Sequence, residues 1–268
     1  MTAGCCVEGE VWLVDGKRLD GDGLVLADWV EGSPPARGED RVVARRNGRL
    51  ARKRYFDGRV QSLVVWALAE SVYGPRPNAS VQALDRLRRM FGNGQVELTR
   101  VIDMPDGTVQ KRSAGAELVD EFTAERFPVR AGRTYLAVAF DLFMADPFWR
   151  GVERKKRSGN GNLRLVNPGT VRDNDVRVVV EGPVSQPTVT NTTTGDTFTV
   201  DVTVPDGDVL TVDAREFTAT ITDGYGGVES VLGDVSRAQV EIMTVAPSTN
   251  HFTASGGTMH VRWRPAWL

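Results

Sequence analysis

Cysteine and long apolar runs are both scarce in this sequence. Among 268 residues there are two cysteines, Cys5 and Cys6, and they are adjacent. Adjacent cysteines rarely reach disulfide geometry, so a disulfide scaffold is excluded. The longest apolar run, Leu63–Ala69, is far shorter than the ~20 residues of a membrane helix. Residues 1–16 lack the basic start and apolar core of a secretion signal. We therefore expect neither export by that route nor a transmembrane segment.

An excess of either charge sign is also missing. Lys+Arg 33 against Asp+Glu 35 leaves a net charge of -2, which disfavours a protein that wraps nucleic acid or lies on an anionic membrane. The 41% hydrophobic content is that of an ordinary globular protein. At this length we expect two domains, each large enough to bury its own core.

Patterns that carry catalytic or metal chemistry are sparse. The two histidines, His251 and His260, lie nine residues apart, and strand alternation places His260 beside Arg262, an electropositive location unsuited to a metal cation. Gly21–Gly23 and Gly159–Gly161 lack the strand-loop-helix setting of a phosphate-binding loop. A Gly-x-Ser-x-Gly elbow does not occur. We therefore predict no catalytic, cofactor or metal site, and a protein that is not an enzyme.

Short strands separated by Gly, Pro and Asp turns dominate the first half. The segment Tyr135–Phe143 is apolar on both faces, which predicts a central strand covered on both sides. A hairpin is predicted around Met104–Gly107. The predicted strands are Val11–Val14, Leu24–Val30, Gln95–Asp103, Thr108–Arg112 and Tyr135–Phe143.

One helix is predicted after Pro77, with Asn78 or Ser80 at its start and a stop at Gly92–Gly94. Its apolar stripe consists of Val81, Leu84, Leu87 and Phe91, and its other face carries Arg86, Arg88 and Arg89. We expect those arginines to be solvated or to face a partner.

A composition change between residues 150 and 168 suggests a domain boundary. This segment is polar, basic and Gly-rich, which is typical of a linker. We therefore predict domains at 1–158 and 163–268. In the second predicted domain, apolar and polar residues alternate as in a β-strand. In Thr197–Val204, for example, Phe198, Val200, Val202 and Val204 share one face. The fold class is thus mainly β: an N-terminal β-rich domain with one helix, then a small antiparallel β-sandwich.

Eight basic residues and one acid, Asp57, occupy residues 41–59. DNA binding would call for interleaved exposed aromatics and a basic domain, and here Tyr55 and Phe56 are the aromatics. We therefore predict a protein-facing surface, with Arg45, Arg46 and Arg49 as candidate interface residues and no specific nucleic-acid binding. The basic residues are Arg41, Arg45, Arg46, Arg49, Arg52, Lys53, Arg54 and Arg59.

The same region carries a family resemblance. The order Asp40–Val43, Asn47–Leu50, Tyr55–Val60, then a single helix and Ala145–Trp149, resembles the distal tail proteins of long-tailed phages. In the second domain, Asn167–Gly169, Val176–Pro183 and the turn at Asp223-Gly224 are similar to that family's galectin-like sandwich. Within that family, this sequence resembles the minor tail proteins of phages that infect actinobacteria.

The resemblance implies a structural virion protein at the tail tip, made in the host cytoplasm. It implies a hexameric ring of the first domain, joining the tail tube to the baseplate or receptor-binding apparatus. The tail tube, tape measure and baseplate proteins are the implied partners. The second domain would project as a docking platform.

A carbohydrate-binding adhesion module built on the second domain is the alternative. Sugar sites generally present exposed aromatic platforms. Strand alternation instead places Trp263 on the apolar face, and Trp267 is near the terminus. Trp149 likewise is expected to be a buried anchor at the end of the first domain.

Overall fold

The computed structural model describes residues 10–37, 41–42, 49–50, 55–68, 70–71, 74–75, 79–92, 94–129, 133–235 and 243–268. The chain divides into two units, Met1–Trp149 and Arg150–Leu268. Residues 150–158 lie in the second unit, whereas the sequence analysis assigned them to the first domain. Cys5 and Cys6 lie outside the described residues.

Antiparallel strands and one helix form the described part of the first unit, as the sequence predicts. They are β1 (Glu10–Val14), β2 (Lys17–Arg18), β3 (Leu24–Glu31), β4 (Ala36–Arg37), β5 (Arg41–Val42), β6 (Arg49–Leu50), β7 (Tyr55–Phe56), β8 (Arg59–Leu68), β9 (Glu70–Ser71), β10 (Gly74–Pro75), α1 (Ala79–Phe91), β11 (Gln95–Asp103), β12 (Val109–Leu118), β13 (Thr123–Val129) and β14 (Arg133–Met144).

The main sheet of this unit has the order β2-β1-β11-β12-β14-β8-β3, with β13 also paired to β14. The predicted hairpin is present: β11 and β12 pair from Gln95↔Glu117 to Asp103↔Val109.

The predicted strand is central, since β14 pairs with β12, β13 and β8. The expectation that both of its faces are covered is wrong, because Ala139, Asp141 and Phe143 are exposed while the residues that alternate with them are buried. In β8, buried residues alternate with half-buried ones over its whole length, apart from exposed Val60, because one face of the strand packs into the core.

Helix α1 packs against β8 and β14. Leu84, Leu87 and Phe91 are buried as predicted, but Val81 is 44% exposed. The predicted stripe is wrong at Val81. The buried face of the helix is centred between Ala83, Met90 and the buried leucines, and Val81 lies outside it.

Arg86 departs from the expected solvated face, because its guanidinium is bound within the same unit. It donates hydrogen bonds to the carbonyl oxygens of Gly21 (2.6 Å) and Arg18 (3.0 Å) and pairs with Asp22. These contacts join the helix to the turn that precedes β3.

The second unit is built of antiparallel strands. They are β15 (Trp149–Gly151), which begins at the division between the units, β16 (Lys155–Asn167), β17 (Val176–Glu181), β18 (Val184–Ser185), β19 (Thr188–Asn191), β20 (Asp196–Thr199), β21 (Thr203–Val204), β22 (Val209–Asp213), β23 (Thr218–Thr222), β24 (Val228–Ser230), β25 (Ser248–Trp263) and β26 (Ala266–Trp267), with a 3₁₀ turn at Leu232–Asp234.

Strand alternation predicts this core well. Phe198, Val200 and Val204 are fully buried, and Val202 packs partly against the same core. The predicted continuous strand Thr197–Val204 is nevertheless interrupted. Its first part pairs with β19 and its last part with β18, so the backbone must bend between them to change partner.

The segment predicted as a linker is a strand, so that interpretation is wrong. β16 pairs with β25 from Lys155↔Trp263 to Asn167↔Ser248, with a bulge between Asn160 and Asn162. Its Leu163 and Leu165 enter the core. Its first half is polar and exposed, as charged side chains on an edge strand often are, and its second half contributes to the core.

Gly169 provides a test of packing in the second unit. A Cβ at this position would lie 2.5 Å from the oxygen and 2.8 Å from the nitrogen of Ala266, both backbone atoms. We expect Gly169→Ala to lower the free energy of unfolding by about 1–3 kcal/mol, the usual cost of overpacking. Gly233→Ala is the matched control, since nothing lies within 4 Å of its added Cβ, and it should change stability by less than about 0.5 kcal/mol. Urea unfolding followed by circular dichroism measures both; equal effects would contradict the observed packing.

Candidate functional site

The predicted interface falls on the segment between β3 and β8, residues 32–58, which we call the arm. Its two sides pair as antiparallel strands, Ala36↔Phe56 in β4 and β7 and Arg41↔Leu50 in β5 and β6. Arg45 and Arg46 lie outside the described residues. Arg49 lies in β6, opposite Val42, and its side chain is not among those described.

Arg59 does not belong to an exposed basic surface, contrary to the sequence prediction. It is the first residue of β8 and is 3% exposed. Its Nη2 lies 2.9 Å from Oε1 of Glu31, the last residue of β3. This ion pair therefore joins the strand that enters the arm to the strand that leaves it, and the basic residues of the arm itself lie between them in sequence.

Further contacts close the base of the arm. The Asp57 amide donates to the Pro35 carbonyl at 2.8 Å. A Cβ on Gly32 would lie 2.5 Å from the carbonyl oxygen of Val60, and one on Gly58 would lie 2.5 Å from the Phe143 ring. Both glycines thus allow an approach that a side chain would prevent.

A second buried arginine, Arg100, completes this anchor. It forms two contacts with the Glu10 carboxylate, through Nε and Nη2, and its Nη1 lies 3.5 Å from Oε2 of Glu31. Strand register explains the first pairing, because Trp12 lies directly opposite Arg100 and Glu10 lies two residues from Trp12 on the same face.

Three tryptophan rings surround the Arg100 guanidinium. Its central carbon lies 4.4 Å from the ring centroid of Trp29, 5.1 Å from Trp12 and 5.2 Å from Trp149. Such distances allow cation-π attraction, which strengthens when water is excluded. Trp149 is fully buried, as expected of an anchor, and its Nε1 donates to Oε1 of Glu31 at 2.6 Å. The anchor consists of Glu10, Trp12, Trp29, Glu31, Arg59, Arg100 and Trp149.

Burial makes these charges interdependent. Desolvation lowers the pKa of Arg59, while the adjacent Glu31 opposes that shift. Desolvation and the charge of Arg100 lower the pKa of Arg112, which lies opposite Arg100 on β12. The carboxylates oppose these pKa shifts, Glu31 at both arginines and Glu10 at Arg112.

Sequence reasoning missed this anchor, although a signal was present. Val96, Leu98 and Arg100 alternate along β11, so Arg100 falls on the buried face. An arginine at such a position requires a carboxylate partner. The alternation identifies the arginine, but its partner Glu31 is 69 residues away and is supplied by the fold.

In the second unit, His260 lies in different surroundings from those predicted. Its Nδ1 is 2.6 Å from Oγ of Ser158 and its Nε2 is 2.7 Å from Oε1 of Glu181. The sequence predicts an electropositive location for His260, but the ring instead contacts the carboxylate of Glu181. Strand register accounts for the arrangement, since Ser158 and His260 are cross-strand partners on β16 and β25.

Buried carboxylates of the second unit pair with arginines. Asp175 is fully buried and lies 2.9 Å from Arg154 and 3.3 Å from Arg215, and Asp173 contacts Arg150. Each partner holds a buried charge that would otherwise be strongly unfavourable.

Among the described residues, no cluster of three or more His, Cys, Asp or Glu side chains is arranged to hold a metal ion. A cleft of about 510 Å³ in the second unit is lined by Glu153–Arg157, Val166, Pro168 and Trp263. No helix in the described part of the chain has the length and hydropathy needed to cross a membrane.

The Glu31 carboxylate can be tested directly. Glu31→Gln keeps the side-chain size but removes the charge that faces Arg59 and Arg100. Removing one partner of a buried ion pair costs about 3–5 kcal/mol, and since Glu31 is 25% exposed we expect a value near the lower limit. Asp85→Asn is the control, because its pair with Arg88 is exposed and should cost less than about 0.5 kcal/mol. Equal losses in urea unfolding would contradict the anchor.

No family model matches the sequence, and no curated protein matches it significantly. Among solved structures, the chain is similar to the Dit (gp 19.1) protein of phage SPP1, described as a paradigm of hub adsorption apparatus in Gram-positive infecting phages. The TM-score is 0.65 at 13% identity, covering 97% of this chain and 99% of that chain.

Lower similarity is found to chains of the phage P2 baseplate in its activated conformation. With Ca the TM-score is 0.42 at 8% identity, covering 96% of this chain and 98% of that chain. With Sr it is 0.41 at 9% identity, covering 95% and 97%. The chain thus has the mainly β fold of the SPP1 Dit protein over almost its whole length.

Proposed function

We propose that this protein is a structural component of a phage tail tip, of the distal tail protein type. The observation that carries the proposal is the similarity to SPP1 Dit across both units, which covers 97% of this chain and 99% of that chain. A match over both whole chains supports a shared architecture more strongly than a match of one common domain.

The sequence supports the finer assignment independently. The order of motifs from Asp40 to Trp149 and from Asn167 to Gly224 resembles distal tail proteins, in the form found in phages of actinobacteria. In this proposal the first unit, Met1–Trp149, forms a hexameric ring. The second unit, Arg150–Leu268, is a galectin-like docking platform.

The proposed role is to join the tail tube to the baseplate or receptor-binding apparatus of the virion. The partners are the tail tube, tape measure and baseplate proteins. In a ring of identical copies each contact is heterologous, so a positive surface of one subunit meets a different, preferably acidic, surface of its neighbour or of an adjoining tail protein. The arm, with Arg45, Arg46 and Arg49, is the proposed positive surface.

The alternative, a carbohydrate-binding module, is less well supported. Trp263 and Trp267 are 2% and 4% exposed, so neither offers the aromatic platform that a sugar site generally uses. We therefore retain a non-catalytic assembly role as the proposed function.

The arm gives the test of assembly. Arg45→Glu, Arg46→Glu and Arg49→Glu together should shift the protein from a hexamer to smaller species in light scattering, because like charges would oppose the contact. Unfolding of the isolated subunit should change by less than about 1 kcal/mol, as for exposed charges. Arg88→Glu, Arg89→Glu and Lys111→Glu together make the same change in net charge outside the arm and should leave the hexamer intact.

A DNA-binding role predicts a different result. The unaltered protein would bind DNA tightly at physiological salt, with a steep salt dependence that disappears in the arm variant. That result, together with unchanged assembly, would contradict the proposal.

A further inference from the structure

The sheet of the second unit has two edges that differ in charge. β16 and β17 both pair with Trp263–Thr258 of β25 and therefore flank it. From β17 the sheet continues through β22 and β23 to β24. Among the described residues, no strand pairs with the outer side of β16 or of β24. Each edge thus presents unpaired backbone N–H and C=O groups.

The edge at β16 is basic. Its first six residues, 155–160, carry Lys155, Lys156 and Arg157 and no acid, and all three side chains are exposed. The edge at β24 is acidic. Residues 223–234 carry Asp223, Glu229 and Asp234 and no basic residue. The two edges are therefore electrostatically complementary.

The acidic edge also exposes apolar surface in a fixed conformation. Tyr225 is fully exposed at 102%, and Val228 is 68% exposed. Asp223 Oδ1 accepts hydrogen bonds from the amides of Tyr225 (2.9 Å) and Gly227 (2.8 Å). The turn is thus preorganised, which lowers the entropic cost of binding through Tyr225. Exposed aromatics of this kind are typical binding anchors.

Strand direction makes the two edges compatible. Each step from β16 through β25, β17, β22 and β23 to β24 is antiparallel, so β16 and β24 run in opposite directions. A neighbouring copy related by rotation about an axis along the strands would bring its β16 antiparallel to β24.

The cross-strand register also gives the position. Following paired residues from Val228 through Thr222, Val209, Glu181 and Thr258 leads to Asn160. Val228 and Asn160 therefore lie on the same rung at opposite edges of one sheet.

We propose that the β24 edge of one copy of this chain pairs with the β16 edge of the next copy, with Val228 opposite Asn160. Glu229 then lies diagonally across from Arg157, and Tyr225 and Val228 are covered. Lysines on a free edge usually prevent sheet pairing. Here the lysines of β16 would repel another β16 edge but attract the acidic β24 edge. The contact itself is independent of the arm; its closure into a ring rests on the proposed function.

Disulfide trapping tests the pairing in the full chain. On a background of Cys5→Ser and Cys6→Ser, a Val228→Cys chain is mixed with an Asn160→Cys chain and oxidised. Directly opposed residues have Cα atoms about 4.5–5.5 Å apart, within disulfide reach. Arg164→Cys is the control on the same strand, four residues farther and about 13 Å away. We expect at least about tenfold more mixed dimer with Asn160→Cys than with Arg164→Cys, because disulfides require Cα atoms within about 7 Å.

Charge exchange adds a second readout. Lys155→Glu, Lys156→Glu and Arg157→Glu in the Asn160→Cys chain should abolish the mixed dimer. Glu229→Lys and Asp234→Lys in the Val228→Cys chain should restore it, because the complementarity is then reversed. Rescue would not follow if the first changes had merely unfolded the strand.

The outcomes separate this contact from the ring. Equal trapping at Asn160 and Arg164, or no trapping at either, overturns the edge pairing, and a hexamer in light scattering would then leave the proposed function standing. Selective trapping in open filaments, without a hexamer, supports the edge pairing and overturns the ring.

Discussion

The Glu31 carboxylate is the contact on which the first unit depends most. Its two oxygens face Arg59, Arg100 and the indole N–H of Trp149. Each arginine is nearly fully buried and would be strongly unfavourable without a counter-ion. Because Glu31 ends β3 and Arg59 begins β8, one carboxylate fixes the separation of the two strands that flank the arm.

This arrangement places one arginine of the basic run, Arg59, in the interior. Arg59 is held in the interior by an ion pair and by Trp149, whose ring centroid lies 5.9 Å from its guanidinium carbon. The other basic residues of the run, between residues 41 and 54, precede it in the sequence.

The fold was largely predictable from the sequence, and the anchor was not. Alternation and turn residues identify β11, β12, β14 and α1, because burial on one face leaves a local period. The sequence indicated that Arg59 belongs to a basic surface, because a run of basic residues does not show which of them is buried. Lys155–Asn167 was predicted to be a linker because an edge strand can form with few apolar residues, so its composition resembles that of a linker. Both errors arise where stability comes from distant partners.

The charge difference between the edges of the second unit restricts the symmetry of any sheet pairing it makes. A twofold pairing of two β16 edges centred on Lys156 would bring Lys155, Lys156 and Arg157 against their own copies, and a twofold pairing of two β24 edges would do the same with Glu229. Like charges directly opposed across strands are destabilising, so a twofold dimer through these segments is disfavoured. Pairing of unlike edges is a heterologous contact, which closes only as a ring or continues as a filament. The edge charges thus favour the class of symmetry that a tail-tip ring would use, although they lie on a different unit from the arm.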